Sequence, residues 1–280
     1  MNTSTSANAI DAVFAELMQR GETALIPFMT MGDPDLDTSV ALIQAAEQAG
    51  AHMIELGVPY SDPLADGPVI QRASERALKN RISLLDCISV ASKARERGVK
   101  LPFILFSYFN PVLQLGLDRF FALLKEHGFS GTIIPDLPME EDAEVSALAE
   151  ASGIHLIPLV APTSESRVER IAARAKGFVY CVSSLGVTGV RSTFHDGIDA
   201  FLSTVRKAST VPICVGFGIA SREHAERFAG QCDGVIVGSA IVRQVEEALP
   251  QLTSDLASER EQGVQAVRDF IAGLKPRTAN

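Results

Sequence analysis

Residues 54–67 read Ile54-Glu55-Leu56-Gly57-Val58-Pro59-Tyr60-Ser61-Asp62-Pro63-Leu64-Ala65-Asp66-Gly67. One carboxylate, Glu55, stands inside an apolar, strand-like run, and the loop behind it is dense in Pro, Gly, Ser and Asp. Strand alternation puts Met53, Glu55 and Gly57 on one face and Ile54, Leu56 and Val58 on the other. An unpaired carboxylate buried there pays a large desolvation penalty or takes a raised pKa. A strand that keeps Glu55 in such surroundings predicts a use for it. Asp62 and Asp66 carry two readings, since Ser-Asp-Pro and Ala-Asp-Gly also form turns by bonding nearby amides.

Outward from this strand, similar short β-branched or apolar runs recur along the chain. They cover 24–29, 52–57, 101–107, 131–135, 154–159, 177–183, 211–215 and 233–238. Between them lie stretches of helical period, such as 39–49, 117–127 and 142–151. An early helix over 10–19 precedes the first strand and ends at Gly21, a natural C-cap. Eight strands alternating with helices predict a single α/β domain, a (β/α)8 TIM barrel with an additional N-terminal helix. A doubly wound open sheet is the other arrangement considered. It favours a Gly-x-Gly-x-x-Gly turn after the first strand, whereas this one runs into Thr30-Met31-Gly32-Asp33-Pro34. No linker-like composition break divides residues 1–280, and the Ser/Thr/Asn-rich residues 1–9 read as a frayed tail without a secretory pattern.

Composition removes several classes of function. A formal charge of −9, with Lys and Arg dispersed, argues against nucleic acid. No apolar run reaches the roughly 18–20 residues of a membrane span, so a cytoplasmic protein is expected. Cys87, Cys181, Cys214 and Cys232 lie far apart and read as buried thiols in a reducing compartment. The five histidines show no metal-ligand spacing, and no metal site is expected.

In a barrel the chemistry sits at the C-terminal ends of the strands, which places Glu55 and its loop on the rim. The last two strands run into Gly216-Phe217-Gly218 and Gly238-Ser239-Ala240. Glycine lets backbone N–H groups approach an anion, and Ser239 adds a hydroxyl at a helix start, so these turns predict a phosphate cup. Ordinary strand-to-helix turns favour Gly as well. A third turn, Ser183-Ser184-Leu185-Gly186-Val187-Thr188-Gly189-Val190-Arg191, has the composition of a lid or of a passive surface loop. Tyr180 alternates with Phe178 and Val182, which either points it into the barrel beside Glu55 or simply buries it in the core. Phe28, Tyr108 and Ile133, at strand ends, line an apolar pocket or belong to the core.

Taken in order, these motifs resemble the tryptophan synthase alpha family. The 54–67 segment looks like its signature. Gly32-Asp33-Pro34, Pro135-Asp136-Leu137-Pro138, Gly186-Val187-Thr188-Gly189, Gly216-Phe217-Gly218-Ile219 and Gly238-Ser239 follow in matching sequence. The resemblance implies a lyase that cleaves indole-3-glycerol phosphate to indole and D-glyceraldehyde 3-phosphate in tryptophan biosynthesis. It implies Glu55 as general acid–base, Asp66 on the indole N–H, and Tyr180 and Thr188 in the site. Phe28, Tyr108 and Ile133 would surround the indole, and Gly189, Gly218, Gly238 and Ser239 would hold phosphate. It further implies mobile loops at 59–67 and 185–191, no cofactor in this chain, and a partner beta subunit with pyridoxal phosphate in an alpha2-beta2 complex. Ser184 and Leu185 depart from members that carry Arg and Ala there. A stand-alone indole-releasing lyase and another phosphate-binding barrel isomerase are the remaining alternatives. Against indole-glycerol-phosphate synthase, none of the lysines falls at a strand's C-terminal end.

Overall fold

A computed structural model describes residues 7–162, 165–182, 197–216, 218–228 and 230–276. Its strands are β1 (Ala24–Thr30), β2 (Ile54–Gly57), β3 (Phe103–Phe106), β4 (Phe129–Ile133), β5 (His155–Leu156), β6 (Leu159–Val160), β7 (Val179–Val182), β8 (Ile213–Gly216) and β9 (Gly234–Val237). Every pairing is parallel, in the order β5-β4-β3-β2-β1-β9-β8-β7-β6.

The two ends of that order are one stave. The expected fifth strand is split into β5 and β6 around Ile157-Pro158, because Pro158 has no N–H to give the ladder. The Ile157 N–H still reaches the Thr132 carbonyl on β4 (2.9 Å), and the Pro158 carbonyl accepts from Tyr180 N–H on β7 (3.0 Å). The stave passes from one neighbour to the other, and the sheet closes on itself. The nine segments thus form the eight staves of a TIM barrel.

Helix α1 (Ala9–Arg20) precedes β1. It starts inside the segment expected to fray, because the Asn8 side chain caps the Ile10 N–H and its amide bonds the Ser130 and Gly153 carbonyls. Gly21 ends it in the left-handed region at φ 64°. Next come α2 (Leu36–Gln48), α3 (Pro68–Lys79), α4 (Leu84–Glu96), α5 (Phe109–Leu115), α6 (Leu117–Glu126) and α7 (Ala143–Ser152). The second half carries α8 (Glu165–Ala173), α9 (Ile198–Ala208), α10 (Arg222–Arg227), α11 (Ser239–Glu247), α12 (Leu249–Leu252) and α13 (Ala257–Leu274).

Parallel strands covered by helices are buried on both faces, so alternation divides the core in two. Leu25, Met29, Ile54, Leu56 and Val215 point outward into the layer beneath the helices. Ala24, Ile26, Phe28, Met53, Ile104 and Ile236 fill the barrel interior. Ile10, Phe14 and Leu17 of α1 join the interior cluster and plug its N-terminal end, with Phe14 edge-on to Phe178 at 5.8 Å. Among the described residues no helix is long and apolar enough to cross a membrane, and all four cysteines are buried free thiols.

Candidate active site

Glu55 lies on β2 in register with Phe28 of β1 and Ile104 of β3. It faces inward with Met53, as alternation predicts. Its side chain is 1% exposed, and Oε1 has no hydrogen-bond partner. Burial pushes its carboxyl from the ordinary 4.5 up to about 8. A carboxyl in that state holds its proton at neutral pH and can release it within the reach of neutral solution.

Asp66 ends the loop that leaves β2 and is 6% exposed. Burial raises its carboxyl to about 6, and a hydrogen bond with Tyr108 pulls it back. Gly67 follows as the N-cap of α3, so Asp66 stands at the positive end of a helix, which favours its ionised form. The two aspartates of the loop therefore part company. Asp62 is exposed and accepts from the hydroxyl of its neighbour Ser61, whereas Asp66 is turned into the protein.

Tyr108 does more than line an apolar pocket. Its hydroxyl accepts from the Ala65 N–H at 3.0 Å, and its ring stacks on Tyr60 at 4.9 Å. The ring thus pins the Asp66 loop from both sides. Phe28, Ile133 and Tyr180 meet in the interior cluster together with Phe106, which packs edge-on against Phe28 at 5.5 Å. Burial and the nearby Glu55 hold the Tyr180 phenol well above its ordinary value, so it stays protonated.

Two strand-end glycines make room for these rings. A Cβ on Gly57 would come within 2.4 Å of Cζ of Phe28, and one on Gly216 within 2.3 Å of the Tyr180 hydroxyl oxygen. Sequence reading assigned neither of them this task. It also missed Val69, Ile70 and Ala73, which α3 turns into the same apolar cluster over the barrel mouth. A recurrence at i, i+1 and i+4 in Pro68–Lys79 carries that face, but only the packing tells which neighbour it meets.

Beside α3, and packed on it, α11 starts at Ser239, with Gly238 as an N-cap that has no side chain to cap the first-turn N–H groups. Those donors are available to an anion. Gly238 lies beside Phe28, 3.5 Å from its ring if a Cβ is added, so this helix start borders the pocket. Gly218 adopts φ 79° in the turn after β8, a left-handed conformation that favours glycine. Thr188, Gly189 and the rest of the 185–191 turn lie outside the described residues. No cluster of metal-ligating side chains occurs among the described residues.

The chain matches the family model for the tryptophan synthase alpha chain over residues 14–272. It is 51% identical to the tryptophan synthase alpha chain of Bacillus pumilus, across 90% of this chain and 93% of that one. The Geobacillus kaustophilus alpha chain is 53% identical, across 88% and 90%. Among solved structures, the alpha subunit from Legionella pneumophila superposes with a TM-score of 0.85 at 34% identity, over 96% of this chain and 97% of that one. Mycobacterium tuberculosis tryptophan synthase gives 0.83 at 33% identity, over 96% and 97%.

Proposed function

The chain belongs to the tryptophan synthase alpha chain family, a lyase that cleaves indole-3-glycerol phosphate in tryptophan biosynthesis, and from that premise we propose how its residues divide the work. Glu55 is the general acid–base and Asp66 the electrostatic partner of the indole nitrogen. The observation that carries this reading is the buried Glu55 carboxyl inside the barrel, with Oε1 unpartnered, together with a second buried carboxylate, Asp66, in a different environment at the end of the loop that leaves the same strand.

Cleavage breaks the bond between indole C3 and the first carbon of the glycerol chain. Glu55, protonated below about pH 8, delivers its proton to C3. The ring nitrogen then carries positive charge, which an ionised Asp66 stabilises. Now a carboxylate, Glu55 takes the proton of the adjacent hydroxyl. The carbonyl of glyceraldehyde 3-phosphate forms, the C–C bond breaks, and its electron pair returns to the ring to give neutral indole. Glu55 ends protonated, as it began, so the cycle requires no metal or organic cofactor.

Phe28, Ile133 and Tyr180 supply the apolar walls for indole, and Tyr108 also positions the Asp66 loop. Gly218, Gly238 and Ser239 receive the phosphate through backbone N–H groups and a hydroxyl, with Thr188 and Gly189 assigned to the same side by family resemblance. Membership as an alpha chain implies a beta subunit, expected in an alpha2-beta2 assembly that holds pyridoxal phosphate on the beta side, in the cytoplasm. Indole release from indole-3-glycerol phosphate by the purified chain, with and without a tryptophan synthase beta subunit, tests the reading. Slow release that the partner accelerates and Glu55→Gln abolishes is expected. Full activity without a partner points to a stand-alone lyase, and no release in either condition overturns the assignment.

A further inference from the structure

We propose that Arg76 is a positioning residue that sets the distance between Asp66 and the phosphate-binding helix start, an inference that rests on the site assignment above. Helix α3 begins two residues after Asp66, and α11 begins at Ser239 beside Gly238. Both helices run away from the rim and pack on each other, and their far ends are tied together. Arg76, in the last turn of α3, donates to both carboxylate oxygens of Asp33 at 2.7 and 2.8 Å. Its remaining nitrogen donates to Glu246, near the end of α11, at 2.8 Å. Arg72 adds two more bonds to Glu246, at 2.8 and 2.7 Å.

Asp33 follows β1, the strand that carries Phe28, and is 2% exposed. One guanidinium therefore joins three chain segments that each contribute to the site: the end of β1, the helix behind Asp66, and the helix behind Gly238. A planar fork bonded on two edges fixes orientation as well as distance, which a lysine point charge cannot do. Buried ion pairs add little net stability over apolar residues of similar volume, so their gain here is geometry. A substrate held at its indole by Asp66 and at its phosphate by α11 reacts only if those two anchors keep their spacing, and small displacements lower the rate steeply.

The test compares Glu246→Gln, which keeps the buried Asp33–Arg76 pair, with Arg76→Lys, each alone and in an Asp66→Asn background. Indole and glycerol 3-phosphate, as separate fragments, should bind both single variants within about twofold of wild type, because each half-site is intact. The kcat/KM for indole-3-glycerol phosphate should fall about tenfold or more, mainly in kcat. With Asp66→Asn already present, either change should cost less than about twofold in the residual rate, since no carboxylate remains to be placed. Wild-type kcat/KM in both variants, or an equal loss in the Asp66→Asn background, would overturn the coupling while leaving the site assignment standing. Normal glycerol 3-phosphate affinity in Gly238→Asp would instead remove the phosphate assignment, and this inference with it.

Discussion

At the scale of single residues, two carboxylates differ in environment, and the roles proposed for them carry consequences for both activity and stability. In the proposed mechanism the donor step needs Glu55 protonated and the stabilising step needs Asp66 ionised. The rate should rise as pH passes about 6 and fall as it passes about 8. A pH profile of turnover checks this, and Asp66→Asn should lower the rate strongly and flatten the acid limb. Glu55→Gln should reduce turnover by about a hundredfold to ten-thousandfold while glycerol 3-phosphate still binds. The same substitution has a stability consequence of definite sign. Below the unfolded value of 4.5 the Glu55 carboxyl is neutral in both states. Between 4.5 and about 8 the unfolded chain ionises it and the folded protein does not, so the wild type loses stability as pH rises through that window. Urea unfolding should find Glu55→Gln equal to wild type at pH 4 and more stable at pH 8, on the order of a few kcal/mol.

At the scale of elements, strand ends and helix starts do the placing. Gly216 terminates β8 where a methyl group would strike Tyr180. Gly216→Ala should therefore cost about 1–3 kcal/mol in chemical denaturation and lower turnover through the displaced ring. Gly273 in α13 is the contrast, since nothing lies within 4 Å of an added Cβ. Gly273→Ala should leave turnover unchanged and stabilise by up to about 1 kcal/mol. Gly218→Asp puts a negative charge into the turn after β8, and calorimetry should find glycerol 3-phosphate binding weakened. Unchanged affinity would move the phosphate elsewhere.

Across the whole molecule, stability draws on a barrel sealed at the end away from the site. Helix α1 supplies that seal, with Phe14 buried against Phe178 and Ile10 against the end of the barrel at Gly131. Phe14→Ala should cost about 3–5 kcal/mol in urea unfolding. The folded fraction should retain near-normal KM, since the plug lies at the opposite end from Glu55. A large KM change with unchanged stability would show that the two ends are coupled.

Much of this was legible in residue order because a barrel repeats one local rule. Apolar runs alternating with amphipathic stretches fix the number of staves, and period-two alternation fixes which of Met53, Ile54, Glu55 and Leu56 face inward. Composition around Glu55 already signalled a carboxylate under desolvation. What alternation cannot reach is any relation between staves. The two roles open to Asp66 and Asp62 were separated only by burial and by the Tyr108 hydroxyl arriving from the N-cap of α5, beyond the end of β3. The split of the fifth stave at Pro158 appeared only once β4 and β7 supplied its partners. The clamp of Arg76 on Asp33 and Glu246 joins residues 43 and 170 positions away in the chain. Local sequence dictates period and propensity, because those depend on neighbours along the backbone. The meeting of distant side chains depends on how the closed sheet brings its helices together, and that was decided by the tertiary structure alone.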